Sequence, residues 1–415
     1  MDTSKTNKLA VIGAGAAGYF TAVSTARMMH PRLQVTIFEK GRDVLSKVRI
    51  SGGGRCNVTH HCFDAERLAE NYPRGSKMLR WSFEQFGAAE TVKWFEERGV
   101  KLKAEEDGRM FPVSDSSESI IQCLKKEAEK YGVKVATGTS VQKIEPQHNG
   151  TIRLTTNKEK SVVFDKVVVA TGGLNREKAY DWLNEIGHSV IKPVPSLFTF
   201  NFREKIFSDL SGISVNPVQV QIADSAFSEI GPLLITHWGF SGPAVLKLSA
   251  WAARFLYDKE YRFDVVVNWL HPLNEHQVRE KLISARLGNP RKSVTKQEQF
   301  LLPSRLWIRF LELSEITVQK NWADISNKEI HRLTAALTAG RYTIQGKTTF
   351  KEEFVTCGGI PLEEVNPDTL ESKIVPGLYF TGEVLDIDGV TGGFNFQAAW
   401  TNGWLVARAI SESGS

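Results

Sequence analysis

The chain has 415 residues, which at roughly 150 residues per domain implies two to three domains rather than one hydrophobic core. Apolar residues make up 41% and charged residues 24%, ordinary values for a globular protein that exclude a wholly disordered, collagenous or coiled-coil chain. With 52 Lys+Arg against 47 Asp+Glu the formal charge is +5, a mild excess that admits an anionic ligand or RNA without requiring either.

No apolar run reaches the ~18 residues that would span a bilayer, so no membrane partner is expected. Met1 to Lys8 is short and polar, unlike a secretory signal. Four cysteines, Cys56, Cys62, Cys123 and Cys357, include no CxxC pair. Neither a disulfide framework nor a zinc ribbon is indicated, and reduced thiols fit a cytoplasmic address.

In chain order, Leu9 to Ile12 predicts a short buried strand, Gly13 to Gly18 a glycine turn, Tyr19 to Met29 a helix and Val35 to Phe38 a second strand, together a βαβ opening. Helical patterns follow, clearest over Ser82 to Arg98 and Ser116 to Tyr131. Strands return at Val133 to Ala136, Ser140 to Glu145, Ile152 to Thr155, Ser161 to Phe164 and Val167 to Ala170. From Pro193 to Trp269 the text is β-rich, with strands at Leu197 to Phe202, Val215 to Ile222 and Phe263 to Trp269. A helix from Pro243 to Leu256 interrupts them, opened by Ser241-Gly242-Pro243. His271 to Ala339 is helical and basic, with 11 Lys/Arg against 7 Asp/Glu between Glu275 and Arg332. After Arg341 strands resume, and a helix from about Phe396 to Ile410 closes the chain. The fold class expected is α/β: a Rossmann-like domain formed by both chain ends (1–192 and 341–415), an inserted β-rich domain (193–270) and a helical subdomain (271–340).

Gly13-Ala14-Gly15-Ala16-Ala17-Gly18 is a GxGxxG between strand and helix, and Glu39 lies 21 residues beyond Gly18, at the end of the next strand. The first glycine allows the turn, the second admits a pyrophosphate and the third lets helix and strand pack closely. The helix start favours phosphate, and Glu39 can accept from both ribose hydroxyls. An acidic residue there disfavours a 2'-phosphate, so NAD or FAD is expected rather than NADP. Two further apolar strands, ending in Thr171-Gly172-Gly173 and in Thr381-Gly382-Glu383, complete a set that resembles two-dinucleotide-fold flavoproteins; the resemblance implies FAD rather than NAD, with Glu383 on the ribityl chain. Lys47 to Asn57 joins Gly52, Gly53 and Gly54 to Lys47, Arg49 and Arg55, a loop suited to lie against flavin and pyrophosphate with Ser51, Cys56 and Asn57; the alternative is a surface turn. Gly392-Gly393-Phe394-Asn395 runs into the last helix, whose start would stabilise negative charge on reduced flavin.

Ser51 to Asn57, Thr236 to Pro243 and Thr356 to Gly403 resemble the BaiN/YhiN-like family of FAD-dependent flavoproteins. The resemblance covers nearly the whole chain. It implies an FAD domain made from the two chain ends, an inserted barrel-like part, a helical part, and reductase chemistry on activated C=C bonds. Members are associated with bile-acid-type enones and with dihydrouridine in ribosomal RNA, so the expected partner is a small enone or ribosomal RNA. Lys40, beside Glu39, and Val141 complete the expected cofactor set. After Gly173 many relatives carry a longer Gly-Ser-Thr-Gly-Asp-Gly loop, whereas here Leu174 to Tyr180 lead directly into a helix.

Reducing a C=C bond needs a hydride and a proton. His237, in a loop before a capped helix, is the first candidate proton donor, its alternative being a histidine that holds the loop. Cys56 is the second, and Cys357 also abuts a glycine loop, although small buried cysteines are more often packing residues. His60 and His61 read as solvated loop residues, Asp386 and Asp388 as caps. No HExxH or spaced Cys/His cluster occurs, so no metal is expected. A second GxGxxG is absent, so electrons must arrive at the flavin from transient NAD(P)H or from a protein donor. Arg286, Arg291, Lys292 and Lys296, with Trp307 and Trp322, form a basic segment where RNA could land, or simply a solvated helical face. The competing class is an FAD-bearing redox sensor without turnover.

Overall fold

The computed structural model describes residues 7–296, 300–348 and 355–413. The chain divides into two compact units, Met1–Ser196 with Lys351–Ser415, and Leu197–Phe350.

The first unit is built on a five-stranded parallel sheet in the order Leu378–Phe380, Lys166–Val169, β1 (Asn7–Ile12), β2 (Leu33–Phe38) and Lys134–Ala136. Leu9, Ala10, Val11 and Val167 to Val169 are wholly buried, as the continuous apolar runs of a sheet covered on both faces require. Helix α1 (Ala16–Met29) buries nearly every residue from Ala17 to Ala26, because the C-terminal helix Phe394–Ser413 packs on its other side. There Phe20 meets Trp400 at 5.4 Å between ring centroids, and a Cβ at Gly403 would lie 2.9 Å from Thr21 Oγ1. The two chain ends are thereby joined in one core.

Several boundaries differ from those read in the sequence. Ser82 to Arg98 is two helices, Ser76–Gln85 and Ala88–Glu96. Gly87 breaks them: its amide is capped by Glu90 Oε2 at 2.8 Å, and any Cβ there would lie 2.8 Å from Phe83 O. Within the expected helical stretch, Arg109–Pro112 pairs with Leu102–Ala104 on one side and Thr59–His60 on the other in a small antiparallel sheet, strands too short to show a period. The expected strand Leu197 to Phe202 is interrupted at Leu197, whose φ is 56°. Ile191–Ser196 pairs with Val355–Gly359 in the first unit, and Thr199–Phe202 belongs to the second.

The second unit is a closed barrel in the order Thr199–Phe202, Gly239–Ser241, Ser228–Ile235, Ser214–Ile222, Arg262–Asn268 and Gly340–Thr348. Its last strand, assigned from sequence to the cofactor domain, pairs with both Arg262–Asn268 and Thr199–Phe202. The helices Glu275–Gly288, Ser304–Leu313 and Asn327–Thr338 precede that strand, so the barrel closes only after they have been made. They share its core: Phe207, Phe240, Trp269, Phe310 and Tyr342 form one aromatic cluster. The boundary expected at 270/271 therefore divides residues that this core joins.

Trp269 sits at the centre of that cluster and donates from Nε1 to Tyr342 Oη at 3.1 Å. Trp269→Ala should lower unfolding free energy by about 3–5 kcal/mol, measured by denaturant titration; a change below about 1 kcal/mol would contradict the shared core.

Sequence reading also missed His188, whose ring is fully buried between Glu364 Oε2 (2.7 Å from Nδ1) and Ser372 Oγ (2.8 Å from Nε2). Burial pushes this imidazole below its ordinary 6.5, with Glu364 opposing. The unfolded chain then binds the extra proton as pH falls through 6.5, so the contribution is complete above that value and lost below it. Thermal stability should therefore fall between about pH 7 and pH 5, and His188→Asn should flatten part of that slope. An unchanged slope in the variant would refute the assignment.

Candidate cofactor site

The sheet order places β1 between β2 and Lys166–Val169, so the chain leaves its start in opposite directions and opens a crevice at the carboxyl ends of these strands. Every glycine motif read in the sequence of the first unit lies near this edge. Gly13 follows β1, with its amide on Phe38 O at 2.8 Å. Glu39 follows β2, Thr171 follows the strand ending at Val169, and Thr381 follows Phe380, held by its amide on Val169 O at 3.0 Å.

The glycines have different reasons to be glycine. Gly13 has φ 109°, and a Cβ on it would lie 2.4 Å from Ala170 O; one on Gly18 would lie 2.0 Å from Gly13 O. Both are demanded by the close fit of turn, helix and strand. At Gly15 a Cβ would meet nothing within 4 Å. Protein packing does not require glycine there. The amides of Ala16, Ala17 and Gly18 have no hydrogen-bond acceptor among the described residues, as expected for the first turn of a helix. Together they make an anion-binding turn.

Glu39 fixes this turn. Its Oε2 accepts from Ala14 N at 2.8 Å and its Oε1 from Gly41 N at 2.7 Å. Each oxygen retains a second lone pair for a ribose hydroxyl. Lys40 is exposed, and Val141 is half-buried at the start of the strand Val141–Pro146.

Ser51 to Asn57 is the end of helix α2 (Ser46–Gly54), opened by left-handed Gly52 and Gly53. Space beyond Gly53 and Gly54 is open to 4 Å. The three cations of this segment are each matched by a carboxylate. Lys47 pairs with Glu383 at 3.0 Å, Arg49 with Glu118 at 2.6 Å and Arg55 with Glu105 at 2.6 Å. Arg55 also lies 4.0 Å over the Phe111 ring. Cys56 is wholly buried at φ 62°, and burial pushes its thiol up to about 12.

Two buried oxygens in this region, Asn57 Oδ1 and Thr356 Oγ1, have no hydrogen-bond partner among the described residues. A Cβ at Gly393 would lie 2.8 Å from the first, and one at Gly173 would lie 2.4 Å from the second and 2.7 Å from Glu383 Oε1. Glu383 is held by Thr356 N on Oε1 at 2.7 Å. Thr356, which sequence reading did not single out, opens the strand segment Thr356-Cys357-Gly358-Gly359. Gly382 comes close to α1, where its Cβ would be 2.8 Å from that of Ala17. The short loop after Gly173 closes on itself, Leu174 N donating to the buried Tyr180 hydroxyl at 3.1 Å.

The loop before the C-terminal helix is self-braced: Gly389 N donates to Asn395 Oδ1, and Asn395 Nδ2 to Gly389 O, each at 2.9 Å. The amides of Phe394, Asn395 and Phe396 have no acceptor among the described residues. His60, expected in solvent, instead stacks on Phe394 at 4.7 Å with Nδ1 3.0 Å from Gly392 O. Asp388, expected as a cap, is buried against Arg74.

His237 belongs to the second unit. It is exposed with Trp238 at the tip of a hairpin, where Thr236 Oγ1 accepts from Gly239 N at 3.1 Å. The basic segment loses its aromatic half, since Trp307 and Trp322 are 0% and 1% exposed. Arg286 is also engaged, with Ile325 O at 3.1 Å and Asn327 Oδ1 at 2.9 Å. Among the described residues no cluster of three His, Cys, Asp or Glu could hold a metal, and no helix is long and apolar enough to cross a membrane.

A glycine turn, a helix start and a carboxylate at the end of β2, set at the carboxyl edge of a parallel sheet, define a Rossmann-like fold of the FAD-binding class. The chain belongs to the HI0933-like protein Rossmann domain family, whose model matches residues 7–409. It is 30% identical over 415 residues, 98% of this chain and 99% of the relative, to the 3-dehydro-bile acid delta(4,6)-reductase of Clostridium scindens. It is also 30% identical over 413 residues, 97% of this chain and 98% of the relative, to the ribosomal RNA dihydrouridine synthase of Haemophilus influenzae. Among solved structures, the 3-ketosteroid-delta4-(5alpha)-dehydrogenase of Rhodococcus jostii shares the fold, with a TM-score of 0.51 at 13% identity over 99% of this chain and 98% of that one.

Because a Cβ at Gly15, unlike one at Gly13 or Gly18, would meet nothing within 4 Å, substitutions in this turn should separate binding from folding. Gly15→Val should abolish retention of FAD, read from visible absorbance, while leaving the melting temperature near that of the wild type. Gly18→Val should unfold the domain. Yellow, fully loaded Gly15→Val protein would remove the site from this turn.

Proposed function

We propose that this protein is an FAD-dependent oxidoreductase that reduces a C=C bond conjugated to a carbonyl in a planar ring. The observation that carries the reading is the cradle at Gly15, open and lined by amides without acceptors. The relatives add the reaction class, since a bile-acid reductase and a dihydrouridine synthase are both named for saturating a ring.

In this reading the amides of Ala16 to Gly18 would hold the pyrophosphate and Glu39 the adenosine ribose. Glu383, oriented by Thr356 N and Lys47, would hold the ribityl chain. The first turn of the C-terminal helix would offer its positive pole to the flavin ring. FAD, when bound, supplies the hydride.

Cys56 is reassigned to packing, because a thiol pushed to about 12 and closed from solvent is a poor donor. Transient NAD(P)H is the proposed electron source.

The test is an anaerobic absorbance titration with NADH and then NADPH, followed by a steroid enone or a ribosomal RNA fragment as oxidant. Bleaching followed by recovery with one oxidant supports the reading and chooses the substrate class. FAD that neither nucleotide bleaches would favour a sensor or a protein donor instead.

A further inference from the structure

Beneath the loop that leads into the C-terminal helix lies a charge cluster not used above. Asp388 has a fully buried side chain, and Arg74, only 11% exposed, grips both of its oxygens. Ser196 Oγ adds a third bond, to Oδ2 at 2.8 Å. An isolated carboxylate in such a place would be strongly disfavoured, so the arginine and the loop are bound to one geometry.

The contacts around this pair all restrain the same loop. Arg74 and Asp388 form an antiparallel bridge, and Val390 N donates to Asn71 O at 2.9 Å. A Cβ on Gly75 would lie 2.7 Å from Ile387 Cγ1, and one on Gly389 would lie 3.0 Å from Tyr72 Cε1. Tyr72 Oη donates to Phe394 O at 2.5 Å. The segment from Asn71 to Gly75 thus holds 387–390 and the first residue of the helix, whose own amides at Phe394 to Phe396 remain without acceptors.

We propose that Arg74, Asp388 and Ser196 are positioning residues that preset the C-terminal loop, so that the helix start presents its unpaired amides to the flavin ring before FAD arrives. The inference rests on the FAD reading of the site. Losing the clamp would let those amides drift, weakening FAD binding and lowering the flavin potential, since the positive pole favours the negatively charged reduced ring. Gly13 to Gly18 would be unaffected.

The test uses the full-length protein. In the wild type without FAD, the Val390 amide should already be protected from hydrogen exchange. Protection that appears only after FAD is added would overturn the proposal, because the cofactor and not the clamp would then order the loop. Arg74→Gln should weaken FAD binding about tenfold and lower the midpoint potential, with exchange at α1 unchanged. Because that variant strands a buried carboxylate, Arg74→Gln/Asp388→Asn provides a neutral pair that can fold in its place. A folded variant with wild-type affinity and potential sinks the inference alone. Wild-type protein that holds no FAD sinks the functional reading and the inference with it.

Discussion

The structure of the first unit depends on one close approach, the packing of Gly18 on the carbonyl of Gly13, where even a methyl group would lie 2.0 Å from the oxygen. This contact brings α1 down onto the end of β1 and aims its unpaired amides into the crevice at the sheet edge. With α1 that deep, its outer face needs a cover, which the C-terminal helix supplies by its own close approach at Gly403. The meeting of the chain ends therefore follows from the first eighteen residues. A helix held farther from the sheet would leave neither the phosphate turn nor the seat for residues 394–413.

Polar bonds inside this core keep the two sides of the cradle in register. Thr59 Oγ1 donates to Gln397 Oε1 at 2.6 Å, Gln397 Nε2 donates to Thr401 Oγ1 at 2.9 Å, and Thr401 Oγ1 donates to Phe86 O at 2.8 Å. Trp400 Nε1 adds a bond to Val58 O at 2.9 Å. Such a buried chain tolerates little displacement, because each member that loses its partner is left unsatisfied in a low dielectric. It ties the segment after Cys56 to the last helix, so the Ser51 to Asn57 loop and the Gly392 to Asn395 loop are fixed relative to one another.

What the sequence made legible was the chemistry set by neighbours in the chain. The glycine spacing, the acidic residue after β2 and the strand ends at Thr171 and Thr381 all encode local backbone conformations, and they converge at one edge because parallel strands end together. Contacts made by distant segments were not legible. The strand Gly340–Thr348 looks like any strand in text, and only its partners, more than seventy residues upstream, place it in the barrel. Trp307 and Trp322 suggested a stacking surface beside basic residues, yet both are buried in the core of the second unit and Arg286 is engaged with Ile325 O and Asn327. The buried Arg74 and Asp388 pair joins positions 314 apart, and no local pattern announces it.

Glu39 shows how the two levels meet. In sequence it is a carboxylate that could read a ribose, which leaves its role before binding undefined. In the structure it already accepts the amides of Ala14 and Gly41, so it braces the phosphate turn and the end of β2. Those bonds hold the carboxylate in place, so little side-chain entropy is lost when a hydroxyl is captured. Under the proposed reading a 2'-phosphate on the ribose would meet this carboxylate, so the residue that shapes the turn would also select an unphosphorylated ribose, and a change at Glu39 could not relax one role without loosening the other.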